Sequence, residues 1–113
     1  MVGTNYERQV KKQLQEQGWL VFRSAGSFVC DLIALKPDKH MLVEVKSTKS
    51  DRYYTTSDKE QFDSLNGLAE QGFQVCYCVC WKGKKKNKQT WFWLPTTPYP
   101  VFKRTINSTT NLI

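Results

Sequence analysis

The sequence predicts one α/β domain in which helices flank a mixed five-stranded sheet, in the order α-β-β-β-α-β-β. Three observations predict it. A length of 113 residues suffices for one hydrophobic core and is too short for two. A composition of 40% hydrophobic and 24% charged residues is that of a globular chain, which excludes wholesale disorder. Segments of helical period alternate with apolar runs of strand length, and the second helical segment lies between the third and fourth strands. Such a crossover allows those two strands to run parallel.

Thr4, Asn5, Tyr6 and Glu7 read as a capping box that opens the first helix. Tyr6, Val10 and Leu14 then recur every four residues, and Gly18 ends the helix. Residues 19–23 (WLVFR) read as a strand, and SAGS at 24–27 as a turn. Residues 29–35 (VCDLIAL) are nearly continuously apolar, the pattern of a strand buried on both faces. KPDKH at 36–40 is a hairpin turn, and residues 41–47 (MLVEVKS) form the returning strand. Residues 48–56 are polar and read as a loop. Ser57, Asp58, Lys59 and Glu60 form a second capping box, followed by Phe62, Leu65, Leu68 and Ala69 on one helical face and Gly72 as the stop. Residues 73–81 are the fourth strand, GKKKNKQ a loop, and residues 90–94 (TWFWL) the fifth strand. Pro95, Pro98 and Pro100 end regular pairing, so the core is expected at 4–94, with an irregular tail over 95–113.

Charge is distributed unevenly. The chain carries 17 Lys and Arg against 10 Asp and Glu, a net of +7. Residues 1–81 balance, so the whole excess is Lys82, Lys84, Lys85, Lys86, Lys88, Lys103 and Arg104. A local excess of this kind points to a polyanion such as nucleic acid, against the plainer reading of a solvated loop. No apolar run approaches the ~18 residues of a membrane span. The N-terminal MVGTNYERQVKK lacks the apolar core of a secretion signal, so a cytoplasmic protein is expected. The four cysteines are Cys30, Cys76, Cys78 and Cys80. The last three alternate and share a strand face, where buried free thiols are favoured over zinc ligands or strained disulfides. His40 is the single histidine, so no histidine pair supports a zinc site.

Asp31 interrupts an apolar strand, and a carboxylate in such a place is expensive unless paired or bound to a cation. In MLVEVKS the apolar positions Met41, Val43 and Val45 share one face, which puts Leu42, Glu44 and Lys46 on the other. If KPDK connects the two strands, Ile33 faces Leu42 and Asp31 faces Glu44. Two opposed carboxylates repel, and a divalent cation between them removes the repulsion. All-oxygen ligands suit Mg²⁺ or Mn²⁺. A turn longer by one residue would break the argument.

Asp31, followed after twelve residues by Glu44-Val45-Lys46, resembles the core of the PD-(D/E)XK nucleases. Within that superfamily the chain is most similar to the archaeal Holliday junction resolvases of the Hjc type. The likeness rests on Tyr6-Glu7-Arg8, Gly18-Trp19, RSAGS at 23–27, DLIAL at 31–35 and VEVKSTKS at 43–50. Cys30 stands where the superfamily signature has proline. The resemblance implies a single restriction-endonuclease-like nuclease domain over 1–113 that hydrolyses DNA phosphodiesters. It implies Glu7, Asp31, Glu44 and Lys46 as catalytic residues. Asp31, Glu44, Glu7 and the Val45 carbonyl would bind Mg²⁺, for which Mn²⁺ can substitute. Arg8, Arg23, Ser24 and Ser27 would contact DNA, joined by Lys49, Lys84, Lys85 and Lys86. The implied partner is branched DNA cut by a homodimer, with no organic cofactor and no membrane. The helix at 62–72 together with Trp81, Trp91 and Phe92 is the candidate interface. Two other functions compete: another nuclease of the superfamily (nicking, repair or restriction type), and a nucleic-acid-binding module without turnover.

Plainer roles exist for most of these residues. Glu7 sits where a capping box would use it. Arg8 can be a solvated helix residue, and Arg23 can pair with an acid at a strand end. Glu44 and Lys46 can be an ion pair on an exposed face. Ser24 and Ser27 are ordinary turn residues. Trp91 and Trp93 favour core packing over base stacking. Asp31 alone lacks a good structural role.

Overall fold

In a computed structural model of the chain, residues 2–24 and 29–105 are described, residues 2–4 by backbone alone. The elements are α1 (Val2–Glu16), β1 (Leu20–Arg23), β2 (Leu32–Lys36), β3 (Lys39–Thr48), β4 (Arg52–Tyr54), a 3₁₀ turn (Thr55–Asp58), α2 (Lys59–Glu70), β5 (Val75–Trp81), β6 (Gln89–Trp93) and β7 (Val101–Lys103). The five-stranded sheet runs β1-β2-β3-β5-β6, with β3 and β5 parallel and the other neighbours antiparallel. The expected mixed sheet and its parallel crossover through α2 are therefore present.

Both helices end by the same device. The Trp19 amide donates to Leu14 O and the Gly18 amide to Gln15 O, while Gly18 takes φ +91. The Phe73 and Gly72 amides do the same to Leu68 O and Ala69 O, with Gly72 at φ +108. The left-handed residue lets the chain turn back and satisfy the last carbonyls, which is why glycine stands at both stops.

The two faces of the sheet carry separate cores. Val10 and Leu14 of α1 pack on Val21, Leu32, Ala34, Met41, Val43, Val45, Cys76, Cys78 and Trp91. Phe62, Leu65 and Ala69 of α2 pack on the opposite face with Leu42, Val75, Tyr77, Val79 and Phe102. The alternation of β3 into both clusters is the period-two pattern anticipated for MLVEVKS. All four cysteines are free and buried.

Several expectations are corrected. Helix α1 already includes Thr4, so Thr4 does not cap it. The cap of α2 is Asp58 rather than Ser57: the Asp58 carboxylate accepts from the Gln61 amide at 3.1 Å. The Ser57 hydroxyl instead donates to Tyr54 O. Strand β2 begins at Leu32, so Asp31 precedes the strand, and only Leu32 and Ala34 of it are buried, with Leu35 exposed. The polar stretch after β3 contains β4, and the proline-rich tail contains β7, which pair antiparallel as a second, two-stranded sheet. The core therefore extends past Leu94, because Phe102 of β7 stacks on Phe92 at 4.3 Å and is buried. Trp81 and Trp91 are buried within the chain, 2% and 9% exposed, and cannot form a docking surface.

Candidate active site

The predicted hairpin register is observed from Leu32 to Lys36, but the ladder does not reach the expected Asp31–Glu44 pair. Ile33 pairs with Leu42 and Leu32 with Val43, and Lys36 pairs with Lys39 across a Pro37-Asp38 turn. The β2–β3 ladder stops at Leu32, and the residues before it hold the end of the hairpin open in a defined way. The Asp31 amide still donates to Val43 O at 3.1 Å, and Asp31 O accepts from the Ser24 amide at 2.9 Å. The Asp31 carboxylate turns back onto β3, where Oδ2 accepts from the Val45 amide at 2.8 Å. Asp31 thus supplies the hydrogen bond that a further β2 residue would otherwise have made, and it stays half-buried at the head of the strand. Its structural role is larger than the sequence indicates. At Val45 the bond seen is made by the amide.

Glu44 pairs with Tyr77 of β5 and lies on the α2 face of the sheet. It is 3% exposed, the single buried carboxylate among the described residues. Oε2 forms an ion pair with Lys46 Nζ at 3.2 Å, while Oε1 is buried without a hydrogen-bond partner. Burial, reinforced by the charge of Asp31, pushes the Glu44 carboxyl up to about 7, against the lowering influence of Lys46 and the Gln61 amide. Burial works to lower the Lys46 ammonium, but Glu44 and weaker negative partners, Asp31 among them, outweigh it, so the net shift is upward and Lys46 is charged at neutral pH.

Glu7 reaches the same region from α1. Burial and the charge of Asp31 raise its carboxyl, and Arg23 opposes them. Arg23 Nη2 stands 3.4 Å from Glu7 Oε1, so the plain expectation for Arg23, an acid at a strand end, is met. Asp31 is therefore the electrostatic centre of the group, felt by Glu7, Glu44 and Lys46. Among the described residues, no three His, Cys, Asp or Glu side chains form a ready-made metal cage.

The remaining predicted residues divide. The Ser24 hydroxyl donates to Cys30 O and ties β1 to the Asp31 turn. Ser27 lies outside the described residues. Arg8, Lys49, Lys85 and Lys86 are exposed. Lys84 pairs with Asp51 at 3.3 Å. Arg104 donates to Lys86 O at 2.7 Å and pairs with Asp51, which fastens the lysine loop to the β4–β7 ribbon. His40 is no ligand: its Nε2 accepts from the Gln74 amide. Sequence reasoning missed Gln61 and Tyr77, which flank Glu44 from α2 and β5. Neither carries a local signal, since one is a polar residue in a helix and the other an aromatic in an apolar strand.

A family model described as archaeal Holliday junction resolvase (hjc) matches residues 1–98. The chain is 34% identical over 68 residues to a protein of Methanocaldococcus jannaschii named crossover junction endodeoxyribonuclease Hjc. That alignment covers 60% of this chain and 50% of the relative, so the chain spans about half the length of the curated relative it matches. Among solved structures, Archaeoglobus fulgidus Hjc, described as a Holliday junction resolvase from an archaeal hyperthermophile, matches with a TM-score of 0.64 at 25% identity, covering 84% of this chain and 73% of that one. The shared architecture is the restriction-endonuclease-like α/β fold. With the family model spanning residues 1–98 of the 113, the chain belongs to the archaeal Holliday junction resolvase (Hjc) family.

Proposed function

We propose that the protein is a divalent-metal-dependent endonuclease that resolves four-way DNA junctions by hydrolysing paired phosphodiesters. One observation carries the reading: in a chain of this family, Glu44 is buried with one carboxylate oxygen unpartnered, under the field of Asp31 and beside the Lys46 ammonium. A structure optimised for stability alone does not leave such an oxygen unsatisfied. The orphan oxygen and the all-oxygen donor set fit a hard cation, Mg²⁺ or Mn²⁺. Asp31, Glu44 and Glu7 would hold it. When bound, such an ion neutralises charge on the transferring group and lowers the pKa of water.

The chain's own residues supply the rest. Lys46, kept charged by Glu44, places positive charge where negative charge develops at the phosphorus. Asp31, held by the Val45 amide, is fixed before any ligand arrives. Burial of the Cys30 thiol, with the fields of Glu44 and Asp31, pushes it up to about 12, so this wall of the site stays neutral and unreactive. The exposed Arg8, Lys49, Lys85 and Lys86, with Arg23 and Lys84, would contact phosphates, and recognition would follow shape rather than base sequence. The lysine loop suits this because the Lys82 amide donates to Thr48 O, which places the loop at the same strand end as Lys49.

Two cuts need two sites, hence a two-fold dimer. The surface that supports one is an uncovered part of the sheet. Leu20 pairs with Leu35, Leu35 with His40, and Phe73 meets His40 edge-on, with Phe22 in the next row. Leu20, Phe22, Leu35 and Phe73 are 60, 49, 38 and 45% exposed. A contiguous apolar face of this kind is rare on a monomer. It replaces the tryptophan surface expected from sequence.

The test is cleavage of a synthetic mobile junction in Mg²⁺, compared with flap, nicked and plain duplex DNA. The wild type is expected to cut the junction preferentially, and Glu44→Ala and Lys46→Ala to lose cleavage while still binding. Equal cleavage by all three proteins refutes the assignment. Equal rates on every substrate replace junction selectivity with a general nuclease.

A further inference from the structure

Gln61 projects from the first turn of α2, where its amide is fixed by the Asp58 cap at 3.1 Å. Its side-chain Nε2 donates to Val29 O at 3.4 Å, two residues before Asp31. That acceptor settles which way the amide faces, since the reverse orientation would set two carbonyl oxygens against each other. The same amide lies against the Glu44 carboxyl and favours its ionised form. Its Oε1 is buried and has no partner. Two of the four orphaned side-chain atoms of the described structure, Glu44 Oε1 and Gln61 Oε1, thus belong to adjacent residues in space. Beside Gln61 a cavity of about 310 Å³ opens to the surface, lined also by Val29, Asp58, Glu60 and Ser64.

A buried acceptor without a donor costs about 1–3 kcal/mol, and a leucine would fill the place without that cost. The sequence retains the amide on a helix that otherwise packs Phe62, Leu65 and Ala69 into the core. The nitrogen has its work, donating to the Val29 carbonyl two residues before Asp31. The oxygen has none within the protein, the same condition as Glu44 Oε1. Both are hard, oxygen-type acceptors, the preference of a divalent cation and its hydration shell.

We propose that Gln61 is a positioning residue of the cation site, its amide nitrogen tying α2 to the Val29 carbonyl just before Asp31 and its carbonyl oxygen adding a neutral acceptor on the α2 side. The inference deepens the nuclease reading and rests on it. It also gives α2 a second task, since a helix that packs the core then carries one wall of the reaction centre. Groups of this kind, outside the carboxylate ligands, alter metal affinity by about 10-fold or more when removed.

The test uses the full chain without DNA. Mn²⁺ binding is measured by calorimetry for the wild type, Gln61→Leu and Gln61→Glu, with thermal melts in chelator and single-turnover junction cleavage on the same preparations. Gln61→Leu is expected to bind Mn²⁺ about 10-fold more weakly while its Tm in chelator changes little. Gln61→Glu, which restores an oxygen at the same reach, is expected to recover Mn²⁺ affinity, to melt lower in chelator through repulsion with Glu44, and to gain more Tm on Mn²⁺ addition than the wild type. A purely structural Gln61 would shift Tm and leave Mn²⁺ affinity alone. Unchanged Mn²⁺ affinity in Gln61→Leu therefore overturns the inference while leaving the nuclease reading standing. Should the leucine variant not fold, failure of Gln61→Glu to gain the larger Mn²⁺-induced Tm overturns it equally. A wild type that takes up no Mn²⁺ and cuts no junction overturns the nuclease reading, and this inference with it.

Discussion

Glu44→Gln is expected to make the metal-free protein more stable at pH 8 while abolishing cleavage. The Glu44 carboxyl is raised from 4.5 to about 7, first by burial and then by Asp31. The unfolded chain ionises this group near 4.5, whereas the folded protein resists ionisation until about pH 7. A folded-state pKa above the unfolded one means that the stabilisation is fully present below about 4.5 and is lost as pH rises through about 7. At about 1.4 kcal/mol per unit, the loss is about 3 kcal/mol, already net of the attraction to Lys46. The amide of glutamine resembles the protonated acid in shape and keeps an oxygen for Lys46, so the variant avoids this loss. At about 4 °C per kcal/mol for a domain of this size, the Tm difference at pH 8 is roughly 12 °C. The assay is a series of thermal melts in chelator from pH 4 to pH 8.5. The two curves should meet near pH 4.5 and separate above it, and Mn²⁺ should lift the wild type at pH 8 more than the variant. Parallel curves, or a variant less stable than the wild type at pH 8, would refute the account of Glu44 as a carboxylate held at an energetic cost for a ligand.

Asp31→Ala should lose about 1–3 kcal/mol by orphaning the Val45 amide, whereas Asp31→Asn should keep stability through its remaining oxygen; both should lose cleavage, read by urea melts beside junction assays. Asp58→Ala should cost about 1 kcal/mol as loss of the α2 cap, with Ser57→Ala costing less, and the reverse order would restore Ser57 as the cap. Phe22→Glu and Leu20→Glu should convert a dimer to monomers in sedimentation analysis without lowering Tm in dilute solution, since both side chains are exposed within the chain. Lys85→Ala together with Lys86→Ala should weaken junction binding and reduce the slope of log affinity against log salt by about 2, measured by fluorescence anisotropy.

Much of this architecture was legible because its determinants are local. A Pro37-Asp38 turn sets the register of the β2–β3 hairpin, and the register sets which face Glu44 and Lys46 share. Gly18 and Gly72 stop the helices where a left-handed residue is required. Asp31 stood out because an acid in an apolar run needs a reason. Capping proved less legible: Ser57 and Asp58 both offer side-chain acceptors, and only the observed backbone decides which amide each can reach.

The rest had no local signature. Strands β4 (Arg52–Tyr54) and β7 (Val101–Lys103) have three residues each, are far apart in the chain, and carry too little period-two pattern to be seen before they pair. Trp81 and Trp91 looked available for a partner until packing buried them, and Leu20 and Phe22, which the sequence marked only as strand residues, stand exposed because the helices cover other parts of the sheet. Chain pattern alone thus determined the two helices and the strands of the main sheet, the β2–β3 hairpin register and the acid-acid-lysine set, because those follow from side-chain period and turn chemistry. Tertiary structure alone decided how deep Glu44 lies, which oxygen of it lacks a partner, and that Gln61 stands beside it, because burial and electrostatic strength are set by neighbours that are distant in the chain.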